Sequence, residues 1–493
     1  MSKHLNKCKS LMTYLGTILL FPTIAMLICS TLHAQQTPPA GFTALFNGTD
    51  LNGWYGWTTR DPNILWSMSP EEQAKFKKQS IEGGAVDKNG KPTNEHLLAH
   101  WKVENQELVS DGQGDYLTTD KDYGDFELHL EYKALPKGDS GVYLRGIPQV
   151  QIWDATEGDP RGLGQDKGSG GLWNNRKGSL GKDPSKKMDK PFGEWNTLKM
   201  KMIGERVTVV FNGETIVDHA VLENFFANQK SGYLAYGKPD PKKDGQITKM
   251  PNGYMLDPAF PKGPIQLQTH GSEIRWRNVF VREIGSEEAN RYLASRDADG
   301  FVELNNGKDL SNWVGAVDNY EVKDGSIVCK QGKGGDLLTK DEYENFTLRL
   351  EFQLPPAGNN GIALRTPLGG HSSSDGLEIQ VIDSDGYNAK HPGGQLLPFQ
   401  YHGSLYHCVG AKHGYLRPVG QWNYKEIEVR GQAIKVTLNG TKILDIDIDQ
   451  FDRSQIEHPP KGLDNRKGHI GFAGHSDPVA FRSFKVRKIA DKP

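Results

Sequence analysis

Cysteine is scarce: four residues in 493, at positions 8, 29, 329 and 408. That excludes a small disulfide-stapled scaffold. An excess of one charge is also missing. Lys and Arg total 59 against 61 Asp and Glu, a net charge of −2. Such a balance gives no electrostatic reason to expect a nucleic acid or an anionic membrane as partner. Long apolar runs are confined to one place, residues 11–29, which excludes a polytopic membrane protein. Helix-period patterning is sparse, so a coiled coil and a helical solenoid fit poorly. Glycine and proline are abundant instead, at 57 and 27 residues, together above the ~12% of average proteins. Their spread without low complexity predicts many turns and therefore many short strands.

The one apolar run follows Lys3, Lys7 and Lys9 and precedes Thr31-Leu-His-Ala34, with a small residue before a cut. This order predicts a secretory signal peptide over 1–34 and export to the periplasm or the cell exterior. Lipoprotein anchoring at Cys29 is the minor alternative, because Ile28 is a poor neighbour for a lipidated cysteine. Cleavage would leave 56 basic groups against 61 acidic, a net charge of −5. Cys329 and Cys408 would then remain, either bridged or as two buried thiols.

Self-comparison shows two copies of one unit. Gly41-Phe-Thr-Ala-Leu-Phe-Asn-Gly48 matches Gly300-Phe-Val-Glu-Leu-Asn-Asn-Gly307. Tyr123 to Tyr132 matches Tyr343 to Phe352, Ser140-Gly-Val-Tyr-Leu-Arg145 matches Asn360-Gly-Ile-Ala-Leu-Arg365, and Val150 to Asp154 matches Ile379 to Asp383. Gly193-Glu-Trp-Asn196 matches Gly420-Gln-Trp-Asn423, Phe211-Asn-Gly213 matches Leu438-Asn-Gly440, and Ile265 to Ile284 matches Ile470 to Ile489. The blocks read as strands: Phe126, Leu128 and Leu130 alternate with polar neighbours, and Asn212-Gly213 and Asn439-Gly440 each signal a hairpin. The expected organisation is a first domain at 41–285, a short helical linker at 286–299 and a second domain at 300–490. Copy one carries insertions at about 55–100 and 219–262, expected as polar loops overhanging one face. Within the first, Ser69-Pro-Glu-Glu72 is a capping box that opens a short helix to about Lys78.

The runs Phe42…Leu45-Phe46-Asn47-Gly48…Trp54, Ser140-Gly141…Leu144-Arg145, Gln151…Asp154, Gly193-Glu-Trp-Asn196 and Ile265-Gln-Leu-Gln-Thr-His-Gly271…Trp276-Arg-Asn278 resemble the 3-keto-disaccharide hydrolase family. The resemblance recurs once per copy and covers nearly all of residues 41–490. It implies an all-β fold, two tandem concanavalin-A-like jelly-roll β-sandwiches. It also implies action on glycosides whose sugar has been oxidised to the 3-ketone.

The residues add chemistry of their own. In a strand, alternate side chains share a face. Gln149, Gln151 and Trp153 therefore point one way, with Val150 and Ile152 in the core. In copy two Glu378 and Gln380 point outward, with Ile379 and Val381 inward. Such a polar face is either a sugar cleft with Trp153 as platform or a plain solvated surface. The spacing is similar to the Glu-x-Asp-x-x-Glu strand of laminarinase-type glucanases. Here those positions read Gln149, Gln151, Asp154 and Glu378, Gln380, Asp383. A retaining glycosidase needs two carboxyl groups ~5 Å apart, so ordinary retaining hydrolysis is disfavoured, most clearly in copy one. The family usually has Glu where Gln149 stands.

Arg145 and Arg365 follow the Gly141 and Gly361 turn-strands, with Glu131 and Glu351 on the preceding strand. They form structural ion pairs, Glu131–Arg145 and Glu351–Arg365, or line the cleft and face a substrate oxygen. His270 and His475 occupy one slot before the last strand, as turn-stabilising groups or as the base. No histidine spacing reads as a metal site, so no cofactor is evident and a divalent metal stays open. Trp54, Trp195, Trp313 and Trp422 are expected in the core. The other six tryptophans all fall in copy one, and eight histidines in copy two. The expected function is cleavage of 3-keto-glycosides by C2 proton abstraction, β-elimination and hydration, with an oxidised glycoside as substrate, no nucleic acid, no membrane span in the cleaved chain and the oligomeric state open. The alternatives are a lectin-like glycan-binding protein, or one binding and one catalytic copy.

Overall fold

The computed structural model describes residues 36–227 and 257–490. The expected signal peptide and most of the 219–262 insertion lie outside them. Within Phe126–Ala134 the burial alternates as the sequence pattern requires, with Phe126, Leu128 and Leu130 sealed inside. The two Asn-Gly turns close hairpins, pairing Phe211 with Glu214 and Leu438 with Thr441. Both turn residues have positive φ in each case (Asn212 48°, Gly213 89°; Asn439 51°, Gly440 83°), which is the geometry a twisted two-residue hairpin needs.

Four antiparallel sheets result, two per copy. The large sheet of copy one runs Glu214–Val221, Arg206–Phe211, Asn196–Ile203, Phe126–Ala134, Ile274–Glu283, Glu107–Ser110, Trp101–Glu104. Its small sheet runs Trp54–Trp57, Tyr116–Thr119, Gln266–Leu267, Asp139–Leu144, Ile147–Trp153. Copy two repeats both orders strand for strand; its small sheet is Trp313–Gly315, Gly334–Tyr343, Gly468–His475, Asn359–Thr366, Leu377–Ile382. The protein is thus all-β, two tandem sandwiches of the concanavalin-A-like jelly-roll class. Phe346, Leu348 and Leu350 of the large sheet meet Ile362, Leu364, Ile379 and Val381 of the small one, all sealed from solvent. Each such side chain contributes roughly 1.5–3 kcal/mol of burial.

The first insertion is less loop-like than expected. Its capping box is formed, with Glu72 N donating to Ser69 Oγ and Ser69 N to the Glu72 carboxylate, and the helix continues from Pro70 to Glu82. The Glu/Gln/Lys-rich sequence beyond Lys78 keeps good helix formers, and Phe76 packs edge-on against Trp57 at 5.1 Å. The linker helix Ser286–Ser295 joins the halves. Its Ala289 and Leu293 pack with Ile203 and Ile284 of copy one and Tyr424 of copy two. Gly204 lies against the second hairpin turn, where a Cβ would meet Asn439 O at 2.4 Å.

One expectation about single residues is corrected. Trp54 and Trp313 are core, but Trp195 and Trp422 are half-buried on the outside, beneath Arg277 and Arg482 at 4.0 and 4.1 Å. Flat cation–π contacts suit that surface position. Cys329 and Cys408 are both buried and unbridged.

Candidate active site

The outer face of each small sheet gathers half of the polar residues singled out above. Gly141 pairs with Gln151 and Gly361 with Gln380. Glycine is required there by close approach: a Cβ on Gly361 would lie 2.1 Å from Glu378 Oε1, and one on Gly141 2.8 Å from the Gln149 amide carbon. The side chains at 149 and 378 therefore lie flat across the neighbouring strand. All four of Gln149, Gln151, Glu378 and Gln380 are buried, so the face is not a plain solvated surface.

The two copies then diverge. In copy one, Gln149 donates to Gln151 Oε1, and Gln151 Nε2 donates to Asp139 Oδ1 at 2.8 Å. Asp139 Oδ2 holds His270 Nδ1 at 2.9 Å, which raises the His270 pKa above its usual value. The floor beside this chain carries Tyr143, Gln266 and Gln268. Tyr143 and Tyr116 share Thr59 Oγ1 at 2.6 and 3.2 Å, and Gln268 Nε2 reaches both phenols at 3.5 and 3.4 Å. Large side chains fill the space above the sheet, although Gln266 Oε1 and Gln268 Oε1 are buried without a hydrogen-bond partner.

In copy two the same positions are small. Ala363 pairs with Gly471 and Gly361 with Ala473, so Gly and Ala replace Tyr143, Gln266 and Gln268. Across this floor, Asp336 pairs with Ala473 on one side and Glu378 with Ala363 on the other. The Asp336 carboxyl accepts Ser372 N at 2.8 Å and Ser372 Oγ at 3.0 Å, and burial first, then the Glu378 charge, raise its pKa. Glu378 is 2% exposed, and neither carboxylate oxygen has a hydrogen-bond partner. A buried carboxylate without hydrogen bonds is costly unless function retains it. Its neighbour is His475, whose Nε2 lies 3.6 Å from Glu378 Oε1 while the ring stays 39% exposed. That carboxylate holds the His475 pKa above its usual value. The pairing is transposed between copies: Asp139 and Gln149 in one become Asn359 and Glu378 in the other. Each histidine keeps an acid, supplied by a different strand.

Several candidates sit elsewhere. Arg145 and Arg365 are buried and turned away from this face. Arg145 donates to Gly124 O, Phe260 O and Asp125. Arg365 donates to Glu344 O, Gly431 O, Asn465 O and the Gln432 amide. Positive φ at both (55° and 48°) swings these side chains to the sandwich edge. The expected pairings with Glu131 and Glu351 do not form. Glu131 takes Arg277 and Glu351 takes Arg482, each at 2.7 Å, on the large sheets. Asp154 and Asp383 anchor turns: Asp154 accepts Lys137 N and Thr156 N, Asp383 accepts Ala357 N and Gly386 N. Trp153 is 9% exposed with its indole N–H on Gly168 O, so it is a packed wall and not an open platform.

Sequence reasoning missed Asp139, hidden because its counterpart is Asn359, and Asp336, whose counterpart is Tyr116. It also missed Lys425. This residue points between the sheets of copy two, fully buried, with Nζ 3.4 Å from Gln380 O and 5.1 Å from the Phe352 ring centre. The copy-one counterpart is Leu198, a mismatch visible in the aligned repeats. Among the described residues, no group of three or more His, Cys, Asp or Glu side chains is placed to hold a metal ion.

The family model described as 3-keto-alpha-glucoside-1,2-lyase-like domain matches residues 41–282 and again 300–487. A curated relative, the 3-keto-disaccharide hydrolase of Bacteroides thetaiotaomicron, is 26% identical over 252 residues, covering 43% of this chain and 86% of its own. Among solved structures, a candidate glycosyl hydrolase of Parabacteroides distasonis is 24% identical with TM-score 0.35, covering 39% of this chain and 95% of its own. A carbohydrate binding module of Bacillus subtilis, CBM66, is 12% identical with TM-score 0.22, covering 38% and 96%.

Proposed function

The chain belongs to the 3-keto-alpha-glucoside-1,2-lyase-like domain family in both of its halves, and from that premise we propose that it cleaves 3-keto-glycosides in its second half. The observation that carries this reading is the solvent-reaching His475 backed by the buried Glu378 over a floor of Gly and Ala. The 3-ketone acidifies the C2 proton. Neutral His475, its Nε2–H turned toward Glu378, takes that proton at Nδ1, and the C–H electron pair forms the C2–C3 enolate. Glu378 stabilises the imidazolium that results. Asn359, beside His475 on the adjoining strand, offers its amide to the enolate oxygen. Collapse of the enolate breaks the C1–oxygen bond, the leaving oxygen takes the proton back from the His475 imidazolium and departs as the alcohol, and water then adds across the new C1–C2 double bond to complete net hydrolysis. In the first half Tyr116, Tyr143 and Gln268 fill the equivalent space, which favours a non-catalytic role there. As an exported protein it would meet such sugars outside the cytoplasm.

The test is turnover of a 3-keto-disaccharide beside its unoxidised parent. Only the ketone should be cleaved. His475→Ala should lose at least ~100-fold in kcat, the low end for a general base, and His270→Ala should leave the rate near wild type. Equal loss in both variants would overturn the assignment to the second half. Cleavage of the unoxidised sugar would replace the mechanism with ordinary glycosidase chemistry.

A further inference from the structure

The seam between the two sandwiches holds a groove that the proposed reaction does not use. One cavity of about 880 Å³ is walled by Trp66, Phe260 and Lys262 from the first half and Tyr415, Arg417 and Gln421 from the second. A second, of about 650 Å³, shares Asn63, Phe260, Pro261 and Tyr415 with it and continues to Tyr401 and His413. Each volume lies in the ~300–1,000 Å³ range of ligand sites. The lining combines aromatic rings with hydrogen-bonding groups. Trp66 stands edge-on to Phe260 at 5.3 Å and donates to Asp122, while Tyr401 meets His413 at 4.2 Å. Charges of both signs occur in equal number along the larger cavity, three acidic and three basic, so the groove selects for no net charge.

We propose that this seam groove is a glycan-binding subsite that takes a neutral oligosaccharide, distinct from the His475–Glu378 centre. Pyranose rings present C–H faces that stack on aromatic side chains, and a rim of hydroxyls that needs amide, carboxylate and ammonium partners. The groove supplies both along a length that two abutting cavities provide. It also adjoins the catalytic strand through one loop. Tyr401 lines the groove; in the same loop Gly403 N donates to Gln380 O and Tyr406 N to Glu378 O. A chain held in the seam would therefore rest against the segment that positions Glu378. The choice of a sugar as ligand rests on the proposed reaction; the existence of the groove does not.

The experiment uses maltotetraose, cellotetraose and laminaritetraose, each titrated by calorimetry into the His475→Ala protein so that turnover cannot interfere. At least one should bind. Trp66→Ala, and separately Gln421→Ala at an exposed position, should each weaken that binding by about tenfold. Trp66→Ala on the otherwise wild-type chain should leave kcat on a 3-keto-disaccharide unchanged. Absence of binding by all three sugars, or binding indifferent to both substitutions, would overturn the subsite. Loss of all turnover by the wild-type protein with seam binding intact would instead refute the reaction and leave the subsite standing.

Discussion

Lys425 offers the most quantitative check on the packing of the second sandwich. It is fully buried, its one oxygen contact at 3.4 Å is long, and no acid neutralises it. Burial alone pushes its ammonium down from 10.5 to about 7. In the unfolded chain it titrates near ~10.4. Between those values the unfolded state holds a proton that the folded state has released, so stability rises with pH across the window. Below about 7 both states are charged, and the contribution is flat at its least favourable. The full span corresponds to ~5 kcal/mol at ~1.36 kcal/mol per pH unit, of which ~2 kcal/mol falls between pH 7 and 9. Lys425→Met keeps the stem and removes the charge; Lys425→Leu copies Leu198 of the first half. Urea unfolding at pH 7, 8 and 9 should show the wild type gaining ~2 kcal/mol on either variant as pH rises, with other titrating groups cancelling in the difference. Parallel curves would mean that the amine finds solvent or a counter-ion, and would refute the argument.

Three further outcomes follow from named contacts. Glu378→Gln removes the charge that raises the His475 pKa, so the rising limb of kcat/KM against pH should move to lower pH; an unmoved limb would show that Glu378 does not act on the base. Asp125 accepts Arg145 Nη2 at 2.8 Å and Gly204 N at 2.9 Å and lies 3.6 Å from Arg417 Nη2 of the other half. Asp125→Ala strands buried guanidinium charge and should cost ~3–5 kcal/mol, read as a lower Tm, whereas an unchanged Tm would deny that the pair is desolvated. Burial raises both thiols, Cys408 to about 12, so iodoacetamide at pH 8 should label neither the Cys329 nor the Cys408 peptide until the protein is unfolded. Labelling of either in the native state would contradict that burial.

What the sequence made legible was whatever depends on local periodicity or on repetition. The alternation at Phe126–Leu130, the Asn-Gly turns and the capping box at Ser69 each rest on a few neighbouring residues, and each forms as read. Comparing the copies also located the strands that carry Gln149 and Glu378 and the slot shared by His270 and His475. Side-chain direction at irregular backbone was not legible. Arg145 lies one step past its strand and Arg365 at a register break within Asn359–Thr366, and their positive φ sends them to carbonyl oxygens that no pattern encodes. Asp154 and Asp383 look like members of an acidic triad by spacing, yet the turns they follow claim them as acceptors. The asymmetry between the two floors was written in the sequence at positions that similarity passes over. Tyr143, Gln266 and Gln268 against Ala363, Gly471 and Ala473 are mismatches within matched blocks, and only the sheet register shows that they share one floor. The transposed acid belongs to the same class. Asp139 with Gln149 and Asn359 with Glu378 each conserve one carboxylate beside a histidine, but the conserved quantity is a pair across two strands and not a residue at a position. Tandem copies whose floors differ are therefore best compared row by row across the sheet, because a cleft is made by neighbours in register and not by neighbours in sequence.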